Sequence, residues 1–277
     1  MPGPATLAPC LREALAQVSD PRKCRGVRHP VVVMLAGAVC AVVAGARSFV
    51  AIAEWFADLP ADLAAALGVE QRCPSESAIR RLLGRIDADR FDAVLGAFVQ
   101  RLLAQARPAG RWRVLAIDGK TVRGSRNTGT DGEVVAGRHL LAVIDQARRV
   151  VLGQVGVDGK TSEITAFTPL LDTLGAMDLA WVVFTADALH CQREHVEDLH
   201  QRGAHWVLTV KGNQPGLRRQ LAGLLPWKAI QDPDHREAVT AHRRREIRAL
   251  KVVTVKAGLA VRNGCSYGSG TAAPVTS

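Results

Sequence analysis

The sequence predicts an α/β protein in two parts: an all-helical N-terminal domain over residues 1–108, then a mixed-sheet domain over 111–256 that is incomplete at its C-terminus. Three observations carry that expectation. Apolar residues recur at helical spacing through the first part; the pattern breaks at Arg107-Pro108-Ala109-Gly110; and beyond it strand-like runs alternate with helical segments. A chain of 277 residues is also long for one core and short for three.

In the first part, Leu11 to Gln17 reads as a short helix ended by Ser19-Asp20-Pro21, and Pro30 can open an apolar helix. From Val31 to Ala46 the chain carries no charge, yet this stretch falls short of the ~18 apolar residues of a spanning helix. Its Ala and Gly content suits close packing in a soluble core, so no membrane partner is expected. Helices follow from Phe49 to Phe56, from Pro60 to Leu67-Gly68, and after Ser75, which can cap a helix whose exposed face carries Arg80, Arg81 and Arg85. Paired arginines of this kind can lie against DNA phosphates or form a solvated face. Asp89 to Ala106 is a longer helix whose Phe91, Val94, Leu95, Phe98, Leu102 and Leu103 are spaced for a core.

In the second part, strands are predicted at Val114 to Ile117, Leu140 to Ile144 and Val150 to Val157, an antiparallel meander with short links. Thr168-Pro169 reads as the N-cap and first turn of a helix stopping at Leu174-Gly175. Trp181 to Thr185 is a buried strand, Gln192 to Arg202 a helix, Trp206 to Val210 a strand and Leu217 to Leu225 a basic helix. Three strands, helix, strand, helix, strand, helix is the layout of a ribonuclease H-like domain, whose first and fourth strands lie side by side.

That layout makes neighbours of two carboxylates far apart in sequence. The apolar run before Asp118 predicts a strand buried on both faces, with Asp118 emerging where it leaves the core, and Asp187 emerges in the same way after Trp181 to Thr185. Either residue alone reads equally as a turn cap. Two carboxylates so close repel unless a cation lies between them, and hard divalent ions with oxygen ligands, Mg²⁺ or Mn²⁺, meet that need.

These residues also carry a family resemblance. Ala116-Ile117-Asp118-Gly119-Lys120-Thr121-Val122-Arg123-Gly124-Ser125, Leu152-Gly153-Gln154, Lys160-Thr161-Ser162-Glu163-Ile164, Asp187-Ala188-Leu189-His190 and Val210-Lys211-Gly212-Asn213-Gln214 resemble the ISAs1-type insertion-sequence transposases, within the IS4-like group of DDE transposases. Upstream, Asp20-Pro21-Arg22 and Pro74-Ser75-Glu76-Ser77-Ala78-Ile79-Arg80-Arg81 resemble the helical domain preceding that family's catalytic core. The resemblance implies metal-dependent DNA cleavage and strand transfer at element ends, with Asp118 and Asp187 as the first two acids of the triad. It places Lys120 and Arg123 near the scissile phosphate, with Lys211, Asn213 and Gln214 edging the same cleft; surface cations and a polar turn are the alternatives. Thr161, Ser162 and Glu163 read as loop caps. The implied partners are double-stranded DNA, both terminal inverted repeats and target, and a second copy of the chain, because transposition brings two ends together. The implied location is the bacterial cytoplasm, at the nucleoid.

The third acid departs from the family pattern. His242-Arg243-Arg244-Arg245-Glu246-Ile247-Arg248 resembles a segment lying before the family's catalytic glutamate, and the alternating run Leu250 to Val255 argues for a strand there. Glu246 is the remaining candidate, and the Gly/Ser/Thr-rich tail over 261–277 reads as disordered or out of frame. The sequence therefore leaves three functions open: an active transposase, a catalytically inactive remnant that binds element DNA and inhibits transposition, or an unrelated ribonuclease H-like nuclease.

The formal net charge of +10 agrees with a polyanionic partner. Six scattered cysteines form no C-x-x-C pair, which favours a reducing compartment, and the N-terminus lacks the pattern of a secretion leader. His190, His195, His200 and His205 recur every five residues, a spacing that puts them on different faces of a helix and argues against zinc; Cys191 reads as a core or surface thiol.

Overall fold

In this computed structural model, the described residues are 4–23, 25, 27–69, 72–105, 112–125, 127–128, 134–135, 137–157, 163–175, 177–224, 235–241 and 244–250. The chain divides into two compact units, Met1–Ala106 and Arg107–Ser277.

The first unit is helical throughout its described part. It comprises α1 (Pro4–Leu15), α2 (Val31–Val43), α3 (Phe49–Ala57), α4 (Ala61–Leu67), α5 (Glu76–Leu83) and α6 (Ala88–Gln105). The opening helix begins earlier than its apolar spacing indicates and runs through Pro9. Helix α2 is the hydrophobic centre, with Val33 through Ala38 and Ala41 buried. Its small residues allow close approach: a Cβ added to Gly37 would collide with the tip of the Phe56 ring of α3. Around it pack Leu15, Leu67, Ile79 and Leu82, all fully buried. Among the described residues no helix is long and apolar enough to cross a membrane. Ser48 and Ser75 cap α3 and α5, their hydroxyls accepting from the amides of Ala51 and Ala78. The α6 stripe is sorted as expected, with Val94, Phe98 and Leu103 buried.

The second unit contains β1 (Arg113–Thr121), the short pair β2 (Asn127–Thr128) and β3 (Val134–Val135), then β4 (His139–Asp145), β5 (Val150–Val157) and α7 (Glu163–Asp172). There follow β6 (Val182–Ala186), α8 (Arg193–Gln201), β7 (His205–Leu208), α9 (Pro215–Leu224) and a hairpin of β8 (His235–Ala241) and β9 (Arg244–Leu250). The main sheet has the order β5-β4-β1-β6-β7. Strand β4 is antiparallel to β1 and β5, while β6 and β7 run parallel to β1 and to each other. This is the mixed α/β sheet that the element order predicts, with the first and fourth long strands adjacent.

Several expectations are corrected. Strand β1 is buried on one face only: Arg113, Leu115 and Ile117 are buried, whereas Val114 and Ala116 are half-buried. It also continues past Asp118, because β4 supplies antiparallel partners as far as Thr121, long after β6 has ended its pairing at Ile117. Helix α7 starts at Glu163 rather than at Thr168-Pro169, so Pro169 lies inside it. Tertiary packing outweighs the local signal there: Phe167, Leu170 and Leu171 are buried, and Thr168 donates to Asp198 of α8 at 2.8 Å instead of capping. Trp181 precedes β6 and is 42% exposed, edge-on to Trp112. The predicted strand at Leu250 to Val255 falls almost wholly outside the described residues; the observed strand is β9, which ends at Leu250. The tail over 261–277 also lies outside them.

Candidate functional site

Strand geometry assembles the site. The parallel register of β1 and β6 ends at Ile117 opposite Ala186, and the next residue in each segment is an aspartate: Asp118, still on β1, and Asp187, just past the end of β6. Strands hydrogen-bonded in this way lie about 4.8 Å apart. Asp118 and Asp187 are both exposed, just where the buried cores of their strands end. Alternation places Asp118 and Lys120 on the same face of β1, and Lys120 is exposed too. Because β7 runs parallel to β6, its outgoing loop at Lys211–Gln214 leaves at the same end of the parallel strands.

The predicted residues adopt distinct roles locally. Asp187 does act as a cap: its Oδ1 accepts from the Leu189 amide at 2.9 Å, ordering the 3-10 turn Ala188–His190. A carboxylate has lone pairs to spare on its second oxygen, so capping orients the group rather than consuming it. Asn213 donates from Nδ2 to the Ala188 carbonyl at 2.6 Å, and Gln214 donates from Nε2 to the Cys191 carbonyl at 3.0 Å. These amides therefore fasten the β7–α9 loop to the turn behind Asp187. Lys211 is exposed on that loop. The side chains of Arg123 and Glu246 lie outside the described residues; the backbone of Glu246 sits on β9, opposite Val239, in a sheet separate from the main one. In the helical unit Arg80 pairs with Glu76 and lies 6.0 Å over the Phe49 ring, and Arg81 donates to the Ser77 carbonyl.

Beneath the acidic pair lies a cluster built on Glu163, a residue that reads in the sequence only as a loop cap. Glu163, the first residue of α7, is bonded through Oε1 to Nε2 of His139 at 2.6 Å, and its Oε2 lies 3.6 Å from Nε2 of His190. The Lys-Thr-Ser-Glu-Ile run does hold the signal, since it is one of the motifs that carry the family resemblance; 160–162 lie outside the described residues. His190 and His195 also come together, contrary to the expectation from their spacing. His190 belongs to the 3-10 turn rather than to α8, so helical periodicity does not apply between them; the ring centroids lie 5.5 Å apart and His195 stacks on Phe167 at 3.9 Å. Burial, with the neighbouring His195 second, holds the His190 imidazole below its ordinary pKa and so favours the neutral ring. Cys191 is buried against Leu217 and Leu221, and its thiol is pushed above the usual range by that burial.

Two exposed carboxylates, one on β1 and one just past the end of the adjacent β6, form a hard-oxygen donor set that fits a divalent cation also held by substrate phosphates. Among the described residues, no group of three His, Cys, Asp or Glu side chains is placed to hold a metal.

With this geometry in place, comparison with known proteins gives the class. Residues 110–257 match the family model of the transposase DDE domain, and residues 12–99 match that of the DDE_Tnp_1-associated region. The chain belongs to the DDE transposase family. It is 28% identical over 242 residues to the H repeat-associated putative transposase YhhI of Escherichia coli strain K12, a match that covers 86% of this chain and 61% of that protein. The chain thus spans under two thirds of that relative's length. It is 31% identical over 254 residues to an uncharacterised protein in the dhlA 3′ region of Xanthobacter autotrophicus, covering 90% and 82% of the two chains. Among solved structures, the piggyBac transposase synaptic complex with hairpin DNA aligns over 89% of this chain and 58% of that one, with 10% identity and a TM-score of 0.39.

Proposed function

We propose that the chain is an insertion-sequence transposase of the ISAs1 type, carrying out metal-dependent strand cleavage and transfer at element ends. The observation that supports this reading is the β1–β6 register, whose last pair, Ile117 and Ala186, is followed on each segment by an aspartate, Asp118 and Asp187. These two residues would hold Mg²⁺ or Mn²⁺, whose contribution in phosphodiester transfer is to activate the attacking oxygen and stabilise the leaving one. Lys120 and Lys211 would lie along the DNA backbone at that end of the strands, while Asn213 and Gln214 act by fixing the loop. Arg123 belongs with them on sequence grounds. In the helical domain over 1–108, Arg80 and Arg81 would contact phosphates, and the catalytic domain spans 111–256. Such contacts set position and affinity, not base sequence. A homodimer holds the two ends in the active assembly, and Glu246 is the candidate for the third acid.

The test is cleavage of labelled element-end DNA by the purified chain with Mg²⁺ or Mn²⁺, beside Asp118→Ala and Glu246→Gln. Metal-dependent product that vanishes in Asp118→Ala supports the reading, and its further loss in Glu246→Gln assigns the third acid. End-specific binding without product identifies instead an inactive transposase that occupies element ends. Hydrolysis confined to RNA–DNA hybrids would overturn the transposase reading.

A further inference from the structure

Glu163 holds together the two segments that bear the acidic pair. It meets β1 at two residues beyond Asp118, Gly119 and Thr121. Directly, its carboxylate fills the space where a Cβ at Gly119 would stand, so only glycine fits there while Glu163 keeps its place. Indirectly, it holds His139, whose Nε2 meets Glu163 at 2.6 Å and whose Nδ1 lies 3.0 Å from the hydroxyl of Thr121 on β1. A carboxylate on Nε2 draws the ring proton to that nitrogen and leaves Nδ1 to accept from Thr121, giving one defined tautomer. On the other side, Oε2 faces Nε2 of His190 at 3.6 Å. His190 is 1% exposed, closes the turn that Asp187 caps, and has a buried Nδ1 with no partner.

We infer that Glu163 is a positioning residue that sets the separation of Asp118 and Asp187 through Gly119, His139 and His190. Gly119 and Asp118 point to opposite faces of β1, so Glu163 works from behind the strand and does not touch the cation. This rests on the reading that Asp118 and Asp187 bind a divalent ion.

The experiment measures Mn²⁺ binding to the full chain by electron paramagnetic resonance, with thermal unfolding in chelator run alongside. Glu163→Asp keeps the charge at the start of α7 but shortens the reach to both imidazoles; Glu163→Gln keeps the reach. Glu163→Asp is expected to weaken Mn²⁺ binding at least about tenfold, the usual effect of losing a residue that orients a metal ligand, with an unchanged melting temperature, and Glu163→Gln to bind close to the parent. Parental Mn²⁺ affinity in Glu163→Asp overturns the inference, as does a loss that merely tracks lowered thermal stability in both variants. Asp118→Ala separates the two levels: Mn²⁺ binding that survives it refutes the metal site itself, whereas binding abolished in Asp118→Ala and kept in Glu163→Asp refutes only the positioning role.

Discussion

Two glycines illustrate how single atoms decide this structure. At Gly37 a methyl group would clash with the tip of the Phe56 ring, and that ring is a large, fully buried side chain of the helical core. Gly37→Ala is expected to lower the stability of the helical unit by about 1–3 kcal/mol, the usual cost of overpacking; chemical denaturation of residues 1–106 within the full chain, followed by Trp55 fluorescence, checks it. At Gly119 the displaced atoms would be the Glu163 carboxylate, so the cost there falls on the acidic site. Cys191 gives a further prediction at this scale. Its burial and raised pKa keep it a neutral thiol, so alkylation by iodoacetamide at neutral pH should modify the exposed Cys10 and Cys73 and spare Cys191 until the protein unfolds. Peptide mapping by mass spectrometry reads the result.

Among the elements, the helix starts separate what local chemistry dictates from what packing dictates. Ser48 caps α3 with a 3.1 Å bond from the Ala51 amide, and its replacement by Ala should cost about 1 kcal/mol, seen as a lowered unfolding midpoint with unchanged slope. Helix α7 behaves differently. Thr168-Pro169 has the chemistry of a helix start, yet the helix begins at Glu163, where the acidic first residue is engaged by His139. Buried Ala166 and Phe167 lie before Pro169, so burying the first turns outweighs the backbone bond that proline cannot donate. Strand β1 shows the same dominance of tertiary partners, since β4 extends it through Asp118 to Thr121.

For the whole molecule, His190 and net charge set the response to solvent. The native His190 pKa lies below its ordinary 6.5 because of burial, so between 6.5 and that lowered value the unfolded chain binds a proton the native chain refuses. The contribution of the neutral ring to stability is therefore intact above pH 6.5 and is lost as pH falls toward the native value. Thermal melts over about pH 5–7.5 should show this decline and should show less of it in His190→Asn. The net charge of +10 makes the proposed DNA partner salt-sensitive, so affinity should fall steeply with added NaCl. The slope of log affinity against log salt should flatten by about 1 in Arg80→Ala, and likewise in Arg81→Ala, if each guanidinium neutralises one phosphate.

Periodicity and turn chemistry, which act over a few residues, are enough for the sequence by itself to determine the helical first part, the strand–helix order of the second and the emergence of Asp118 and Asp187 from apolar runs. Family motifs add the transposase class. Pairings between residues distant in the chain are left to the tertiary structure. It decides how far β1 runs, where α7 starts, that His190 leaves the helix and meets His195, and that Glu163 lies between His139 and His190 against Gly119. The physical reason is that each of these depends on a partner supplied by another strand or helix, and no local pattern encodes which partner that will be.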